Sequence, residues 1–380
     1  MTKRIDRIAL PSMSPGTDRF LKVHRYGTPG ARPKAYLQAS LHADEIPGML
    51  AAHHLLRRLD EADQRGEIKG EIIVVPVANP IGSAQVLNGT HAGRYDLRGG
   101  GNFNRRWPDM FSGLVEATAG KLGKDAASNV TVVRQAMAQL LDGMTASGEF
   151  SALRLALAKL AFDADFVLDL HCDDDSQIHL FLVPQLWPDG QDLAALIGAE
   201  AVLLAEDSGG ASFDEAVSTP WTKLQQAVGA GLPIPAACFS GTVEFRGRAD
   251  VFDETATQDA DALYIFLQRR GLIAGTVPDL PPLRCEGTML DACDIVRSPA
   301  AGVLAYKVRL GQQVRTGDVI AELIDPLADD QAAARQQIRC QTDGKVLSRN
   351  MHKLVAPGDS VAKVAGKKTL AYRKGLLLED

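Results

Sequence analysis

The sequence predicts an α/β fold in which a mixed sheet is flanked by helices and followed by a smaller β domain. Three observations lead to this prediction. Continuous apolar runs at residues 71–77 and 166–171 are typical of parallel strands that are covered on both faces. Helical patterns of apolar residues alternate with such strands as far as residue 270. Beyond a proline-rich stretch at 276–282, helical patterns become scarce, which indicates a linker and then a β domain.

The elements of the first part follow one another as strands and helices. Strands are predicted at residues 5–10, 20–27, 35–41, 71–77, 166–171, 177–183 and 237–245. Helices are predicted at residues 46–60, 128–145, 151–162, 191–205, 221–228 and 255–270. Residues 79–109 form a long loop rich in Gly, Asn and Arg, and loops of that length in compact domains are usually functional or disordered. Because ligands of such folds bind beyond the carboxyl ends of strands, functional residues are expected at that edge.

The C-terminal part contains an internal duplication. A strand, a turn glycine, a second strand and a Gly-Asp hairpin occur twice, with Gly317 and Gly358 in equivalent places about 41 residues apart. Short strands in this arrangement indicate a small β domain. We therefore expect two domains, residues 1–275 and residues 285–380.

Composition narrows the classes of function. The chain has 380 residues and a net charge of −6 with no long basic run, which argues against nucleic acid as a partner. No stretch approaches the roughly 20 apolar residues of a membrane helix, and the charged N-terminus lacks the apolar core of a signal peptide. Five scattered cysteines imply no disulfide framework. We expect a cytoplasmic protein. The β domain is a natural place for self-association, so a homo-oligomer is possible.

The first group of candidate functional residues is His42, Glu45 and His171. His42 and Glu45 lie where a strand hands over to a helix, and His171 ends another strand. Catalytic zinc commonly takes three protein ligands of this type and leaves one position for water. Asp169 shares a face with His171 and is expected to accept the second imidazole proton of His171 or His42. The alternative is a partly buried His and a surface Glu at a helix start, where a carboxylate is favoured.

The second group lies in the 79–109 loop. Its polar members are Arg94, Arg98, Asn102, Asn104 and Arg105. Arginine binds carboxylates through two parallel hydrogen bonds, and asparagine adds a directional donor. An arginine-rich loop beside a metal predicts an anionic substrate. The alternative is an exposed loop that charge keeps soluble.

Glu244 is the third candidate, because it interrupts a strand end that is otherwise apolar. A carboxylate near a metal and its water is suited to act as general base and then as general acid. The alternative is an ion pair with Arg246 or Arg248.

Two further features, both next to His171, have structural rather than functional interpretations. The acidic run at residues 173–175 is interpreted as a solvated loop, with binding of a cation as the alternative. Cys172 is expected to point away from His171 because adjacent strand residues face opposite sides.

Taken in this order, the motifs resemble those of the succinylglutamate desuccinylase/aspartoacylase family, a branch of the zinc carboxypeptidase-like fold. The resemblance rests on the metal motif formed by His42, Glu45 and the distant His171, on the substrate motif at residues 102–105, and on Glu244. It covers about residues 30–270.

The resemblance implies a zinc-dependent hydrolase that cleaves the amide bond of a small N-acyl amino acid, with one Zn²⁺ per chain. It implies that Glu244 takes a proton from the attacking water and that Arg94, or alternatively Arg98, polarises the scissile carbonyl. Asn104 and Arg105, with Asn102 in the same motif, would hold the substrate carboxylate. Two other functions stay open: a zinc carboxypeptidase acting on peptides, and a non-catalytic module that binds an acylated ligand.

The C-terminal part is similar to halves of biotinyl/lipoyl barrels. Such domains carry a modified lysine at a hairpin tip, and the corresponding tip at residues 323–326 has no lysine. The missing lysine argues against a swinging-arm role and favours a role in capping or assembly.

Overall fold

The computed structural model describes residues 1–378. The first nine strands in chain order are β1 (Arg4–Ala9), β2 (Phe20–Tyr26), β3 (Lys34–Ala39), β4 (Glu71–Val75), β5 (Val86–Leu87), β6 (Thr90–His91), β7 (Tyr95–Asp96), β8 (Gly101–Asn102) and β9 (Phe166–Asp173). The next five are β10 (Asp175–Ser176), β11 (His179–Leu182), β12 (Ala201–Leu204), β13 (Phe239–Gly247) and β14 (Gly287–Met289). The last eight are β15 (Cys293–Arg297), β16 (Gly302–Tyr306), β17 (Gln313–Val314), β18 (Val319–Ile324), β19 (Arg335–Arg339), β20 (Gly344–Arg349), β21 (Leu354–Val355) and β22 (Ser360–Gly366).

The helices of the described chain lie between β3 and β14. They are α1 (Pro47–Gln64), α2 (Pro80–Ser83), α3 (Phe111–Thr118), α4 (Ala126–Gly143), α5 (Glu149–Ala161), α6 (Trp187–Ile197), α7 (Phe213–Val228) and α8 (Asp253–Arg269). Short 3₁₀ turns occur at Pro184–Leu186 and Leu290–Ala292. Within residues 1–378, no helix is both long enough and apolar enough to span a membrane.

A mixed sheet of nine strands forms the centre of the described chain, in the order β1-β2-β4-β3-β9-β13-β11-β12-β14. The central pairs β3/β4, β3/β9 and β9/β13 are parallel, whereas β11 runs antiparallel to β13. Strands β3, β4 and β12 are buried along their whole length, as expected for strands covered on both faces. Separate apolar clusters fill the two faces of the sheet. The predicted α/β class with a large mixed sheet and flanking helices is confirmed.

Some predicted elements were wrong in extent or type. The helix predicted at 191–205 ends at Ile197, because Gly198 adopts the left-handed conformation with φ of 67°. The following run, Ala201–Leu204, is strand β12 rather than helix. It is apolar and fully buried, and a short run of that kind has no periodicity that separates strand from helix. Helix α7 begins at Phe213 rather than at residue 221, and α3 was not predicted.

Two antiparallel sheets make up the C-terminal part. One has the order β10-β20-β22-β15, with β17 beside β20, and the other has the order β19-β18-β16-β21. The duplicated passages exchange strands: β17 of the first pairs with β20 of the second, and β21 of the second pairs with β16 of the first. Gly317 and Gly358 have φ of 91° and 87°, so both hairpins need the conformational freedom of glycine.

The C-terminal part is connected to the large sheet at two places. Strand β14 lies at the edge of the nine-stranded sheet and runs parallel to β12. Strand β10, which directly follows β9, pairs with β20 of the C-terminal sheet. The division into domains at residues 1–275 and 285–380 stays a prediction.

Candidate metal centre and active site

The candidate site lies where the central parallel strands end. After β3 the chain turns through Ser40–Ile46, which contains His42 and Glu45, and then enters α1. His171 is near the end of β9, and Glu244 of β13 is its direct partner across the two parallel strands. Gly48 lets the start of α1 approach β9 closely, because a Cβ at this position would lie 2.6 Å from the carbonyl oxygen of Leu170.

His42, Glu45 and His171 converge on one point. Nδ1 of His42 lies 2.9 Å from Oε1 of Glu45, and Nδ1 of His171 lies 2.7 Å from Oε2 of the same carboxylate. All three side chains are buried, and their possible ligand atoms lie within 4.8 Å of one another. Two imidazole nitrogens and a carboxylate at this separation form a group that could hold a metal ion.

The outward nitrogens of both imidazoles contact oxygen atoms. Nε2 of His42 lies 2.8 Å from Oδ1 of Asn102, and Nε2 of His171 lies 2.9 Å from Oδ2 of Asp169. Asp169 is fully buried and accepts a 3.0 Å hydrogen bond from Nε2 of Gln38 at its other oxygen. Oxygen acceptors at Nε2 keep the proton there and direct the Nδ1 lone pair inward, the arrangement that metal-bound histidines usually have. Asp169 thus lies against His171, one of the two partners expected for it.

The charges of the group favour a cation. Burial and then the guanidinium of Arg94 lower the pKa of His42 to about 4, so this imidazole is neutral at neutral pH. Burial acts against the charge of Glu45, but His42 and His171 lower its pKa well below the usual value. Burial likewise opposes the charge of His171, but the carboxylates of Asp169 and Glu45 raise its pKa.

The structure separates the two candidate arginines. Nη1 of Arg94 lies 3.1 Å from Oε1 of Glu45 and 3.1 Å from Nδ1 of His42. Arg98 is exposed and lies at the tip of the β7–β8 hairpin, beside a different surface groove that includes Gly148. Arg94, not Arg98, is therefore the arginine beside the His-Glu-His group.

The structure also separates the residues of the predicted substrate motif. Asn104 and Arg105 line the pocket beside the His-Glu-His group. Oδ1 of Asn104 accepts hydrogen bonds from N of Phe213 (2.8 Å) and Nε1 of Trp107 (3.2 Å), which leaves its amide nitrogen 3.4 Å from Nε2 of His171. Asn102 was predicted to bind substrate, but it is not among the residues that line the pocket. Its Oδ1 instead lies 2.8 Å from Nε2 of His42 and accepts a 2.9 Å hydrogen bond from the N–H of Asn104.

Glu244 lines the same pocket and lies beside His171 on the adjacent strand. Its Oε2 is buried and has no hydrogen-bond partner among residues 1–378. Burial and then the charge of Glu45 raise its pKa to about 8. The alternative ion pairs of Glu244 with Arg246 or Arg248 are not formed among residues 1–378. Arg246 pairs with Asp259, and Arg248 pairs with Asp44 and Asp174.

The interpretation of residues 173–175 as a solvated loop was wrong. Asp173 ends β9, is largely buried, and pairs with Nζ of Lys363 at 2.6 Å. Asp175 pairs with Nη2 of Arg349 at 2.7 Å. Both cations belong to the C-terminal part, so these carboxylates are partly desolvated by an element distant in sequence. The neighbouring Cys172 is buried, which raises the pKa of its thiol above the usual range, and its N–H donates to Glu45.

The pocket in front of these groups has a cavity volume of about 100 Å³. Several of its residues were not anticipated, and they share an origin in elements far from the motifs: Asp214 and Glu215 from α7, Leu290 from the 3₁₀ turn, Lys363 from β22, and Leu378. Burial raises the pKa of Asp214, and burial together with Asp214 raises that of Glu215 to about 7. The adjacent acidic pair at the start of α7 was a visible signal, whereas nothing local marks Lys363 or Leu378.

Comparison with known proteins agrees with this arrangement. The family model for the succinylglutamate desuccinylase/aspartoacylase catalytic domain matches residues 31–225, which include the His-Glu-His group and the motif at 102–105. This chain belongs to the succinylglutamate desuccinylase/aspartoacylase family. The expected family is thereby confirmed.

Individual members of the family are similar over most of the chain. A deacetylase of N-alpha-acetyl-L-2,4-diaminobutyric acid from Halomonas elongata is 27% identical over 344 residues, which cover 88% of this chain and 83% of that protein. Two solved structures of family proteins, from Shewanella frigidimarina and Shewanella amazonensis, are each 24% identical, with TM-scores of 0.84 and 0.80. They cover 96% and 95% of this chain, and this chain covers 98% of each. At that identity the two structures support the fold alone.

Proposed function

We propose that this protein is a zinc-dependent hydrolase that cleaves the amide bond of a small N-acyl amino acid. The observation that carries the proposal is the position of Glu244, which lies on the strand beside His171, lines the same pocket as His42 and Glu45, and has a buried Oε2 without a hydrogen-bond partner in the described chain. The relative from Halomonas elongata, named as a deacetylase of such a compound, supports the same class of reaction.

The donor atoms fit zinc. Two imidazole nitrogens and one carboxylate are a common ligand set of catalytic zinc, which keeps a further position open. His171 would lose its proton when the metal binds. The Nε2 contacts with Asn102 and Asp169 orient the rings for this purpose. We propose His42, Glu45 and His171 as the ligands of one Zn²⁺ per chain. Bound zinc supplies a Lewis acid, which polarises a carbonyl and lowers the pKa of water towards roughly 7.

In the proposed mechanism, Glu244 takes a proton from water as the water attacks the acyl carbonyl, and then gives it to the leaving amine. The elevated pKa of Glu244 suits a group that must both accept and donate a proton near neutral pH. Arg94 donates to the oxygen of the tetrahedral intermediate, a contribution of about 3–4 kcal/mol per donor in well-characterised enzymes. Asn104 and Arg105 hold the carboxylate of the amino acid. The products are a carboxylic acid and a free amino acid.

The Glu244→Gln variant tests this assignment. It preserves the shape of the side chain but cannot accept a proton, so hydrolysis is expected to fall by about 10²–10⁴-fold. Zinc content, measured on the purified protein, should equal that of the unmodified chain. Glu61→Gln on the exposed face of α1 is the matched control and should retain full activity. Undiminished hydrolysis by Glu244→Gln would refute the assignment of the base.

The acyl group and the amino acid are open to direct measurement. The panel should contain N-acetyl and N-succinyl derivatives of several amino acids, and N-alpha-acetyl-2,4-diaminobutyric acid because of the Halomonas relative. Peptides in the same assay test the alternative carboxypeptidase activity. Release of C-terminal residues from peptides, with no cleavage of acyl amino acids, would refute the deacylase proposal.

We also propose that the chain consists of two domains with different roles. Residues 1–275 would be the catalytic domain with the zinc carboxypeptidase-like form of the sheet. Residues 285–380 would be a β domain related to biotinyl/lipoyl barrel halves, serving as a cap. The charged, acidic composition and scattered cysteines favour a cytoplasmic location.

A further inference from the structure

The tail of the described chain, residues 373–378, brings Leu378 into the lining of the pocket. The N–H of Leu377 donates a 2.7 Å hydrogen bond to the carbonyl oxygen of Ser208. Arg373, which is buried, donates from Nη2 to the carbonyl oxygen of Leu377 at 2.6 Å and braces the tail from behind. These contacts seat Leu378 in the pocket lining.

The loop under the tail is shaped to receive it. A Cβ at Gly209 would lie 2.8 Å from the carbonyl oxygen of Gly375, and a Cβ at Gly210 would lie 3.2 Å from Cδ1 of Leu378. Gly210 also contacts Arg105, since the same Cβ would lie 3.0 Å from Cδ of that side chain. Two adjacent glycines therefore let the tail approach closely, and they place Leu378 beside the arginine proposed to hold the substrate carboxylate.

Leu378 is part of a continuous apolar surface of the pocket. The residues of this apolar wall come from four parts of the chain, and they are Phe181, Leu203, Ala205, Leu290 and Leu378. Leu203 and Leu290 are almost fully buried, at 1% and 3% exposure, so their side chains are fixed by packing. Leu378 is only partly buried, as are Phe181 and Ala205, and it is the leucine of the wall that lies outside the strands and the 3₁₀ turn. Its size therefore contributes to how far the pocket extends.

We propose that Leu378 is a specificity-determining residue, which limits the length of the alkyl group that the substrate places against the apolar wall. This inference rests on the proposed function. The alkyl group belongs either to the acyl chain or to the amino-acid side chain, because both extend from the amide that the catalytic groups attack. A methylene gained or lost against such a surface changes kcat/KM by about 10–200-fold, so one leucine is enough to select between neighbouring chain lengths.

The test uses the full-length, zinc-loaded protein with Leu378→Ala and Leu378→Phe. Leu376→Ala is the matched control, because Leu376 lies two residues away in the same tail and is 50% exposed. Two substrate series separate the two sources of the alkyl group. One lengthens the acyl chain from acetyl to hexanoyl on a fixed amino acid, and the other lengthens the side chain from alanine to norleucine on a fixed acetyl group.

In one series, Leu378→Ala should raise the ratio of kcat/KM for the longest to the shortest substrate by about tenfold or more. Leu378→Phe should lower the same ratio, and Leu376→Ala should leave it unchanged. Profiles that are the same in all four proteins, or a change produced equally by Leu376→Ala, would overturn the inference while leaving the proposed function intact. If the unmodified protein hydrolyses no member of either series but cleaves another acyl amino acid of the panel, the inference alone is overturned. If it cleaves no acyl amino acid at all, the proposed function and the inference fall together.

Discussion

At the scale of single residues, the candidate metal centre depends on hydrogen bonds that hold two imidazoles in one orientation. Asn102 and Asp169 each present an oxygen to an Nε2 atom, so both rings turn their Nδ1 atoms towards Glu45. A ring rotated about its χ2 angle would present the other nitrogen and lose this convergence. The supporting residues therefore matter to metal affinity almost as much as the ligands do.

Asn102→Ala tests this dependence. Loss of the acceptor frees the His42 ring, and the dissociation constant for zinc is expected to rise by about 10–100-fold. Competition with a chromophoric chelator measures the constant. Asn102→Asp keeps an oxygen at the same place and should restore most of the affinity. Gln64→Ala, at the exposed end of α1, is the neutral control. Equal affinities for Asn102→Ala and the unmodified protein would contradict the role assigned to Asn102.

A second residue-scale prediction concerns Glu215, which accepts a 2.8 Å hydrogen bond from the N–H of Ser208. Burial and the charge of Asp214 raise its pKa from 4.5 to about 7. Between these two values, rising pH removes a proton from the unfolded chain while the folded chain keeps it, so this group weakens folding as the pH rises. The difference amounts to about 3 kcal/mol once the pH exceeds 7.

Glu215→Gln removes that penalty while keeping an oxygen acceptor for Ser208. The variant should be more stable than the unmodified protein by about 2–3 kcal/mol at pH 8, and equally stable near pH 4. Urea unfolding at a series of pH values measures the difference, with exposed Glu116→Gln as the control. A stability difference that does not change with pH would show that the carboxyl is not perturbed in the folded state.

At the scale of elements, strand β9 connects three regions of the molecule. Asp169, His171 and Asp173 are two residues apart in the strand and therefore share one face. Asp169 contacts Gln38 in the core, His171 contacts Glu45 in the candidate metal centre, and Asp173 pairs with Lys363 of β22. Although burial opposes its charge, Lys363 holds the pKa of Asp173 well below the usual value. The strand thus links the C-terminal part to the candidate metal centre through one ion pair.

A double-mutant cycle on Asp173 and Lys363 measures this link. The two side chains are 15% and 18% exposed, so removing either partner leaves a poorly solvated charge and should cost about 3 kcal/mol. Asp173→Asn combined with Lys363→Met should cost clearly less than the two single changes together. The unfolding free energy is measured by urea titration of metal-free protein.

The exposed pair Lys367–Glu286 provides the control cycle. Its atoms are 3.6 Å apart and its side chains are 86% and 88% exposed, so its coupling should be close to zero. If the costs at Asp173 and Lys363 simply added, the two residues would not form the link described above.

At the scale of the whole molecule, the two parts of the chain share an apolar cluster. Ala201 and Leu203 of β12 pack with Leu290, Ile295 and Leu347 of the C-terminal part. Strand β14 extends the large sheet, and β10 joins a C-terminal sheet. Separating the two parts would expose this cluster and break two strand pairings.

We expect the described chain to unfold as one cooperative unit for this reason. Scanning calorimetry of the metal-free protein should give a single transition whose calorimetric and van't Hoff enthalpies agree. A zinc-loaded sample should show the same single transition at higher temperature, because zinc binds the folded state. Two resolved transitions in the metal-free protein would instead indicate that the parts fold independently.

Much of the fold and of the candidate site follows from local features of the sequence. The apolar runs at 71–77 and 166–171 correspond to β4 and β9, because their residues are buried on both faces. His42 and His171 were expected at strand ends, where polar residues interrupt apolar runs. Backbone periodicity and strand termination depend mainly on neighbouring residues, so they can be predicted from the chain alone.

Tertiary packing decided the rest of the site. It brought Arg94 rather than Arg98 to Glu45, and it turned Asn102 from the substrate side to the back of His42. It also closed the pocket with Lys363 and Leu378, whose local sequence carries no signal of either role. The sequence by itself determined the fold class, the family and the residues that could bind a metal, because these depend on periodicity and motif spacing. Only the tertiary structure decided which side chains meet, since contacts between distant segments depend on how their elements pack.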